Sequence, residues 1–302
     1  MLEVIKEMIL ITGLTGTSGS AFYDVLCREK YSGKIRVVVR STTNLEQFKN
    51  SPLDLEFVTG DITDVDFMAK AMDGCELVFN IAAKVHNKHV AAAILRSSSV
   101  KKAVFVSSTI VYSNNYPTST LHIDEPEIRK SLSNKGVKCV FLRPTMIFGT
   151  RNDSNISRFI VWINKYKFFP VVKHGSATIQ PVSRLDLAEM YYAVLDKYDE
   201  LQSDDYIISG DKCMTLLEMF KIIARLSGKN TKFVNIPFGF AKFLVNTAYV
   251  LSFKRINYKE QLDRLAEDRA YPHEKITAEL GYSPLSFEER VKPLIDEIMG
   301  NM

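Results

Sequence analysis

The chain has 302 residues, of which 46% are hydrophobic and 25% charged, with a formal net charge of +4. That length gives one large or two modest domains with ample core, and so mild a charge argues against nucleic acid as the main partner while leaving anionic small molecules open. Cys27, Cys75, Cys139 and Cys213 stand singly, without CxxC or Cys/His spacing, so no metal cluster is expected and reduced thiols in a cytoplasmic protein are. Met1 to Glu7 carries acids and does not read as a signal peptide, and no apolar run is long enough to predict a membrane span.

The first half alternates strand and helix signals. Met8–Thr12 is a short apolar run ending at Gly13, suited to a buried parallel strand, and Ser18–Lys30 follows with Ala21, Phe22, Val25 and Leu26 on one helical face. Strands are then predicted at Ile35–Val39, Leu55–Val58, Leu77–Ile81, Ala103–Val106 and Lys138–Leu142. Helices are predicted between them at Val65–Met72, Val90–Ser97 and Glu125–Asn134. This rhythm means βαβ units and a doubly wound parallel sheet of Rossmann type.

After Gly149 the rhythm breaks. Helices are expected at Ile156–Tyr166, Leu185–Tyr198, Thr215–Leu226 (capped by Thr215 and stopped by Gly228) and Ser286–Met299, with one more strand at Tyr206–Ile208. Pro237–Phe253, the most apolar stretch, reads as a helix against the core. The expected organisation is an α/β dinucleotide domain over residues 1–150, with a return near 178–210. A smaller, mainly helical C-terminal substrate cap would comprise 151–177 and 211–302.

Thr12-Gly13-Leu14-Thr15-Gly16-Thr17-Ser18-Gly19 is a glycine turn between the first strand and the first helix. Gly13 permits the sharp turn, Gly16 lets backbone N–H groups approach a pyrophosphate, and Gly19 lets the helix sit close on the sheet. The pyrophosphate would lie at the helix N-terminus beside Thr15, Thr17 and Ser18, where free N–H groups and the helix dipole favour negative charge. At the end of the second strand, where an acid would bond a ribose 2′-hydroxyl, stands Arg40, followed by Ser41-Thr42-Thr43. A guanidinium there grips a 2′-phosphate or simply caps a strand end; the first alternative favours NADP(H) over NAD(H). Asp61 and Ile62, beyond the third strand, would flank an adenine or serve only as turn residues.

In order along the chain, TGLTGTSG at 12–19, GDITD at 60–64, NIAA at 80–83, VSSTIVY at 106–112, LRPTMIFG at 142–149, QPV at 180–182 with Asp186, and LGYSP at 280–284 resemble the extended short-chain dehydrogenase/reductase superfamily. Within it the likeness is to the NAD-dependent epimerase/dehydratase proteins that act on nucleotide sugars. The resemblance spans nearly the whole chain. It implies Ser108 as the catalytic serine, Ala82 and Ala83 close to the cofactor, and Pro144 and Thr145 flanking the nicotinamide; Lys84 and His86, which follow, approach the cofactor or substrate or are simply surface residues. One departure makes the chain an atypical member. The family's YxxxK acid/base pair should lie between Tyr112 and the sixth strand, and no tyrosine there has lysine at the fourth position. His122 is a substitute acid by position and by its near-neutral titration, and equally a plain loop histidine; Tyr112 and Tyr116 are further candidates.

On the substrate side, Asn155, Arg158, Gln180 and Arg184 are candidate contacts, the arginines for the diphosphate that the resemblance implies. The expected function is a keto-sugar-nucleotide reductase or epimerase using NADP(H). The alternative is a non-catalytic NADP(H)-sensing protein. A homodimer is open.

Overall fold

The computed structural model describes residues 7–113, 121–153, 156–251 and 259–300. Seven strands, β1 (Ile9–Thr12), β2 (Ile35–Val39), β3 (Leu55–Thr59), β4 (Leu77–Asn80), β5 (Lys102–Val106), β6 (Lys138–Pro144) and, late in the chain, Asp205–Ile208, form one sheet. Every pairing in it is parallel. The order runs from β3 through β2 and β1 to β4, β5, β6 and the late strand. The strand order therefore reverses beside β1, and the crevice outside its carboxyl end is where ligands of doubly wound sheets bind.

Helices cover both faces. On one side lie α1 (Thr17–Arg28) and the helix Arg184–Asp196. On the other lie α2 (Val65–Ala71), α3 (Asn87–Arg96) and α4 (Leu121–Asn134). Phe22, Phe79 and Tyr191 stack edge to face or tilted at 5.3–5.7 Å, welding α1, β4 and the Arg184 helix into one core. Both faces of the central strands are buried, which is why they read as continuous apolar runs.

The elements after β6 form a C-terminal region, except that the Arg184–Asp196 helix and the Asp205–Ile208 strand return to the sheet. In chain order they are β7 (Ile147–Phe148), α5 (Ile156–Lys165), β8 (Phe168–Val172), β9 (Thr178–Ile179), β10 (Val182–Ser183), α6 (the Arg184–Asp196 helix) and β11 (the late sheet strand). Then follow β12 (Met214–Thr215), α7 (Leu216–Leu226), β13 (Lys232–Ile236), α8 (Phe238–Leu251), α9 (Lys259–Arg264), α10 (Glu274–Leu280) and α11 (Phe287–Gly300). A separate apolar cluster, including Phe148, Ile160, Phe169, Phe220 and Ile295, holds α5, α7 and α11 together. Thr215 caps α7 in a reciprocal box with Glu218, and Gly228 ends it at φ +65°, as the sequence signals required.

One expectation fails here: over the described side chains of 237–247, α8 is not laid against the core, since it exposes Phe240, Phe243 and Leu244 and buries Ala241. The parallel pair β8–β13 is not legible in the sequence, because its strands lie more than 60 residues apart and carry Pro170 and two lysine-rich borders.

Candidate functional site

The glycine turn closes as its spacing demands. Gly13 has φ +75°, and a Cβ there would stand 2.6 Å from the Ala82 nitrogen. The turn and the end of β4 thus touch, backbone to backbone, where the sequence places both beside a cofactor. Gly19 is closed too, with a Cβ falling 2.1 Å from the Gly13 carbonyl oxygen. Gly16 differs: it is the exposed N-cap of α1, extended at φ −83°, ψ 179°, and a Cβ would meet only the Gly13 oxygen at 3.2 Å. The N–H groups of Thr17, Ser18 and Gly19 that follow have no preceding turn to bond to. The open side of this turn is a cradle a side chain would fill and an anion fits.

Beneath it, the Thr12 hydroxyl donates to Asn80, whose amide donates to Asn87 at 2.7 Å. This buried chain fixes the carboxyl ends of β1 and β4. Arg184 is brought to the same place. Its guanidinium donates to Gly149 O at 3.0 Å, Ser20 Oγ at 3.3 Å and Thr17 O at 3.4 Å, beside the first turn of α1. Arg40 is exposed at the end of β2 and lines a cleft of about 440 Å³ with Thr15, Thr42, Thr43 and Asn44. Glu46 shares that cleft, with its carboxylate 2.7 Å from Lys49. A short 3-10 turn at Glu46–Phe48 carries the acid back toward Arg40, and six residues of separation hid it in the sequence. The Asp61 carboxylate accepts from Thr63 N and Oγ1, both at 2.8 Å, and the backbone bond above all holds its pKa below the usual aspartate range. Ile62 packs on the α2–α3 core. Lys84 opens a 3-10 turn directly after Ala83.

A second centre lies at the carboxyl ends of β5 and β6. Successive strand residues face opposite ways, and Ser107 and Ser108 follow that rule. Ser107 turns inward to Glu125, while Ser108 turns to a small cavity of about 40 Å³. Ser108 Oγ accepts from Ile110 N at 3.3 Å, which leaves its proton available to a ligand. Thr145 lines the same cavity, and Pro144 precedes it with its carbonyl accepting from Thr109. The roof comes from a segment that the sequence did not nominate: Arg264, Glu267, Arg269 and Tyr271. Ser113 Oγ donates to both Glu267 oxygens at 2.8 Å, Arg269 N donates to Thr178 O at 2.7 Å, and Asp268 accepts from Thr178 N at 2.7 Å. Tyr271 packs on Tyr112 with ring centres 5.5 Å apart, and burial, with Glu267 adding, raises its pKa above the ordinary tyrosine value. This roof has no periodicity or motif; only its charge density, EDRAY at 267–271, marks it.

Behind Ser107, at the start of α4, lies a buried ion network. Glu125, in the first turns of α4, sits 2.7 Å from the Arg143 guanidinium, which also forms a fork with Asp205 at 2.7 Å twice. Burial opposes the charge on Arg143, but Asp205 and Glu125 more than offset it and hold the guanidinium charged. The His122 side chain, Tyr116 and Asn155 lie outside the described residues. The other substrate candidates are not gathered at Ser108. Arg158 lines a separate cleft on α5 with Arg151, Trp162 and Lys165. Gln180 is buried and spends its amide on Gly210 O at 2.8 Å.

A doubly wound parallel sheet with a glycine turn at its switch point, a serine at the end of β5 and a mainly helical C-terminal region defines a Rossmann-type α/β fold. Solved structures agree. A UDP-glucuronic acid 4-epimerase from Bacillus cereus, in complex with UDP-glucuronic acid and NAD, superposes with a TM-score of 0.72 at 16% identity, covering 98% of this chain and 100% of the other. A dTDP-glucose 4,6-dehydratase from Streptomyces venezuelae with NAD bound gives a TM-score of 0.74 at 19% identity, covering 97% of each chain. Over residues 5–269 the chain matches the NmrA-like family model and belongs to that family. It is also 25% identical over 139 residues to the Arabidopsis thaliana mitochondrial NADH dehydrogenase [ubiquinone] 1 alpha subcomplex subunit 9; the match spans 43% of this chain and 34% of that protein.

Proposed function

We propose that the chain is an NADP(H)-dependent oxidoreductase that reduces, or epimerises through, a keto-sugar nucleotide. The observation that carries this reading is the pairing of two sites on one sheet edge. One is an anion cradle at Gly16; the other is the Ser108 cavity, lined by hydroxyls that keep their protons at neutral pH. The dinucleotide would be held by the α1 N-terminus, Ala82 and Ala83, with Arg40 at the adenosine end, and it supplies hydride when bound. The chain's own residues do the rest. Ser108 orients the substrate oxygen by donating its hydroxyl proton, and Tyr271, with its raised pKa, is the proton donor facing the same space. Burial keeps the Tyr271 hydroxyl protonated at neutral pH, so it is present as a donor and not as a tyrosinate base, which supports ketone reduction as the direction. The present cavity is too small for a sugar, so the 264–271 roof must lift for substrate to enter, breaking the Ser113–Glu267 and Thr178–Asp268 bonds.

The small cavity at Ser108 and the lack of a tyrosine–lysine pair in the sequence support a second reading, a protein that binds NADP(H) and signals its redox state without turnover. A panel of keto-sugar nucleotides with NADPH, followed by cofactor absorbance, separates the two. Turnover with any of them supports the oxidoreductase. Tight cofactor binding with no turnover across the panel supports the sensor.

A further inference from the structure

The mild net charge of this protein hides a strong segregation. No acidic residue occurs between Asp153 and Asp186, or between Glu218 and Glu260, yet these two stretches carry thirteen lysines and arginines. In the rest of the chain, 26 basic residues face 35 acidic ones. The fold brings the two stretches together. β8 from the first and β13 from the second pair in parallel, with Phe168 opposite Lys232 and Pro170 opposite Val234, and α8 follows directly from β13.

Among the described residues, these stretches also hold most of the exposed large apolar side chains. Trp162, Tyr166 and Phe168 cluster at the end of α5, with Trp162 Nε1 donating to the Phe168 carbonyl at 3.0 Å. Val234 lies exposed on β13, and Phe240 and Phe243 are 55% and 63% exposed on α8. Lys165, Lys167, Lys232 and Lys242 are exposed among them. Asp153 shares the cleft of Trp162, Lys165 and Tyr166, but Arg151 and Arg158 line it too, so cations outnumber it. Aromatic rings bordered by an excess of lysines are the composition that settles at a bilayer interface: the rings enter the headgroup region and the cations meet anionic lipid.

We propose that this face adsorbs to an anionic membrane surface. α8 has 14 residues, about 21 Å at the helical rise, and no helix among the described residues is long and apolar enough to cross a bilayer, so the contact lies on the surface. Charge decides against a second copy of the chain as occupant. A two-fold interface sets the same patch against itself, and a patch with this excess of cations would then meet mostly like charge.

The test uses the full chain and its single tryptophan, Trp162, which sits in the patch. Vesicles of equal phosphatidylcholine and phosphatidylglycerol should sediment the protein and shift Trp162 emission to the blue, whereas pure phosphatidylcholine should do neither. High salt should release it. The double charge reversal Lys232→Glu with Lys242→Glu should lower partitioning by about tenfold or more, from the loss of surface attraction per lysine. Phe240→Ser with Phe243→Ser should do likewise without changing circular dichroism, since all four side chains are exposed. Three results would overturn the proposal: no sedimentation or emission shift with anionic vesicles; a solution dimer that the phenylalanine substitutions dissociate; or binding to duplex DNA as tight as to anionic vesicles.

Discussion

Valine at Gly16 should remove dinucleotide binding and spare the fold, whereas alanine at Gly19 should damage the fold itself. The structure sets the two magnitudes apart. At Gly16 the backbone is extended at φ −83°, a conformation any residue adopts, and the nearest atom to a new Cβ is the Gly13 oxygen at 3.2 Å. Replacing glycine at such a compatible site restrains the unfolded chain, a gain of roughly 0.4–1 kcal/mol that offsets the slight crowding. The net change in stability should therefore lie within about 1 kcal/mol. At Gly19 a Cβ would stand 2.1 Å from Gly13 O and 2.7 Å from Leu14 Cα, both backbone atoms that cannot rotate aside. Overpacking of that kind costs about 3 kcal/mol, the upper end of the usual range. Binding responds in the opposite order. The Gly16 valine would occupy the pyrophosphate path and weaken NADPH by at least ~100-fold, or ~2.7 kcal/mol. Thermal denaturation reads the fold, and calorimetry with NADPH and NADH reads the site. A folded Gly16→Val protein that binds both cofactors as the wild type does would refute the placement.

Arg40→Asp should weaken NADPH by about 1.5–3 kcal/mol, the scale of a lost charge-assisted contact, and leave NADH less affected; equal losses would remove Arg40 as the phosphate ligand. Ser108→Ala should slow keto-sugar reduction at least about tenfold, roughly 1.4 kcal/mol of barrier, with circular dichroism unchanged. Because burial raises the Tyr271 pKa, its hydroxyl stays protonated through neutrality and beyond. The reductive rate should then stay level from about pH 6 to 9, decline only above the ordinary tyrosine range, and fall in Tyr271→Phe. A step between about pH 6 and 7 that His122→Phe removes would assign the proton to His122 instead. Glu125→Ala should cost about 3 kcal/mol in denaturant unfolding, because it strips a partner from the buried Arg143, and Glu125→Leu with Arg143→Met should recover most of that loss.

The sheet was legible because each central strand is buried on both faces and announces itself as a β-branched or aromatic run, as in IRVVV at 35–39 and KCVFL at 138–142. The glycine turn was legible because glycine leaves a visible letter wherever backbone must approach backbone, as at Gly13 against Ala82. The roof over Ser108 was not. Glu267 and Tyr271 reach the cavity through long-range pinning at Thr178, Ser113 and Ser209, and contacts of such sequence separation leave no local period. Nor was the fate of Arg184 or Arg158 legible, since an arginine's sequence position does not say which neighbour its long side chain will reach. The α8 stretch misled for a related reason. Apolar composition reads as core, and only the structure shows which apolar faces are left uncovered.

Hydride delivery tests the central claim most directly. With NADPH deuterated at the transferring carbon and a keto-sugar nucleotide that the protein turns over, mass spectrometry should find deuterium carried into the sugar by the wild-type chain. Label entry should fall at least about tenfold with Ser108→Ala. NADPH binding in calorimetry that depends on Gly16, with no deuterium entering any sugar nucleotide of the panel, would contradict an oxidoreductase and leave a protein that only senses its cofactor.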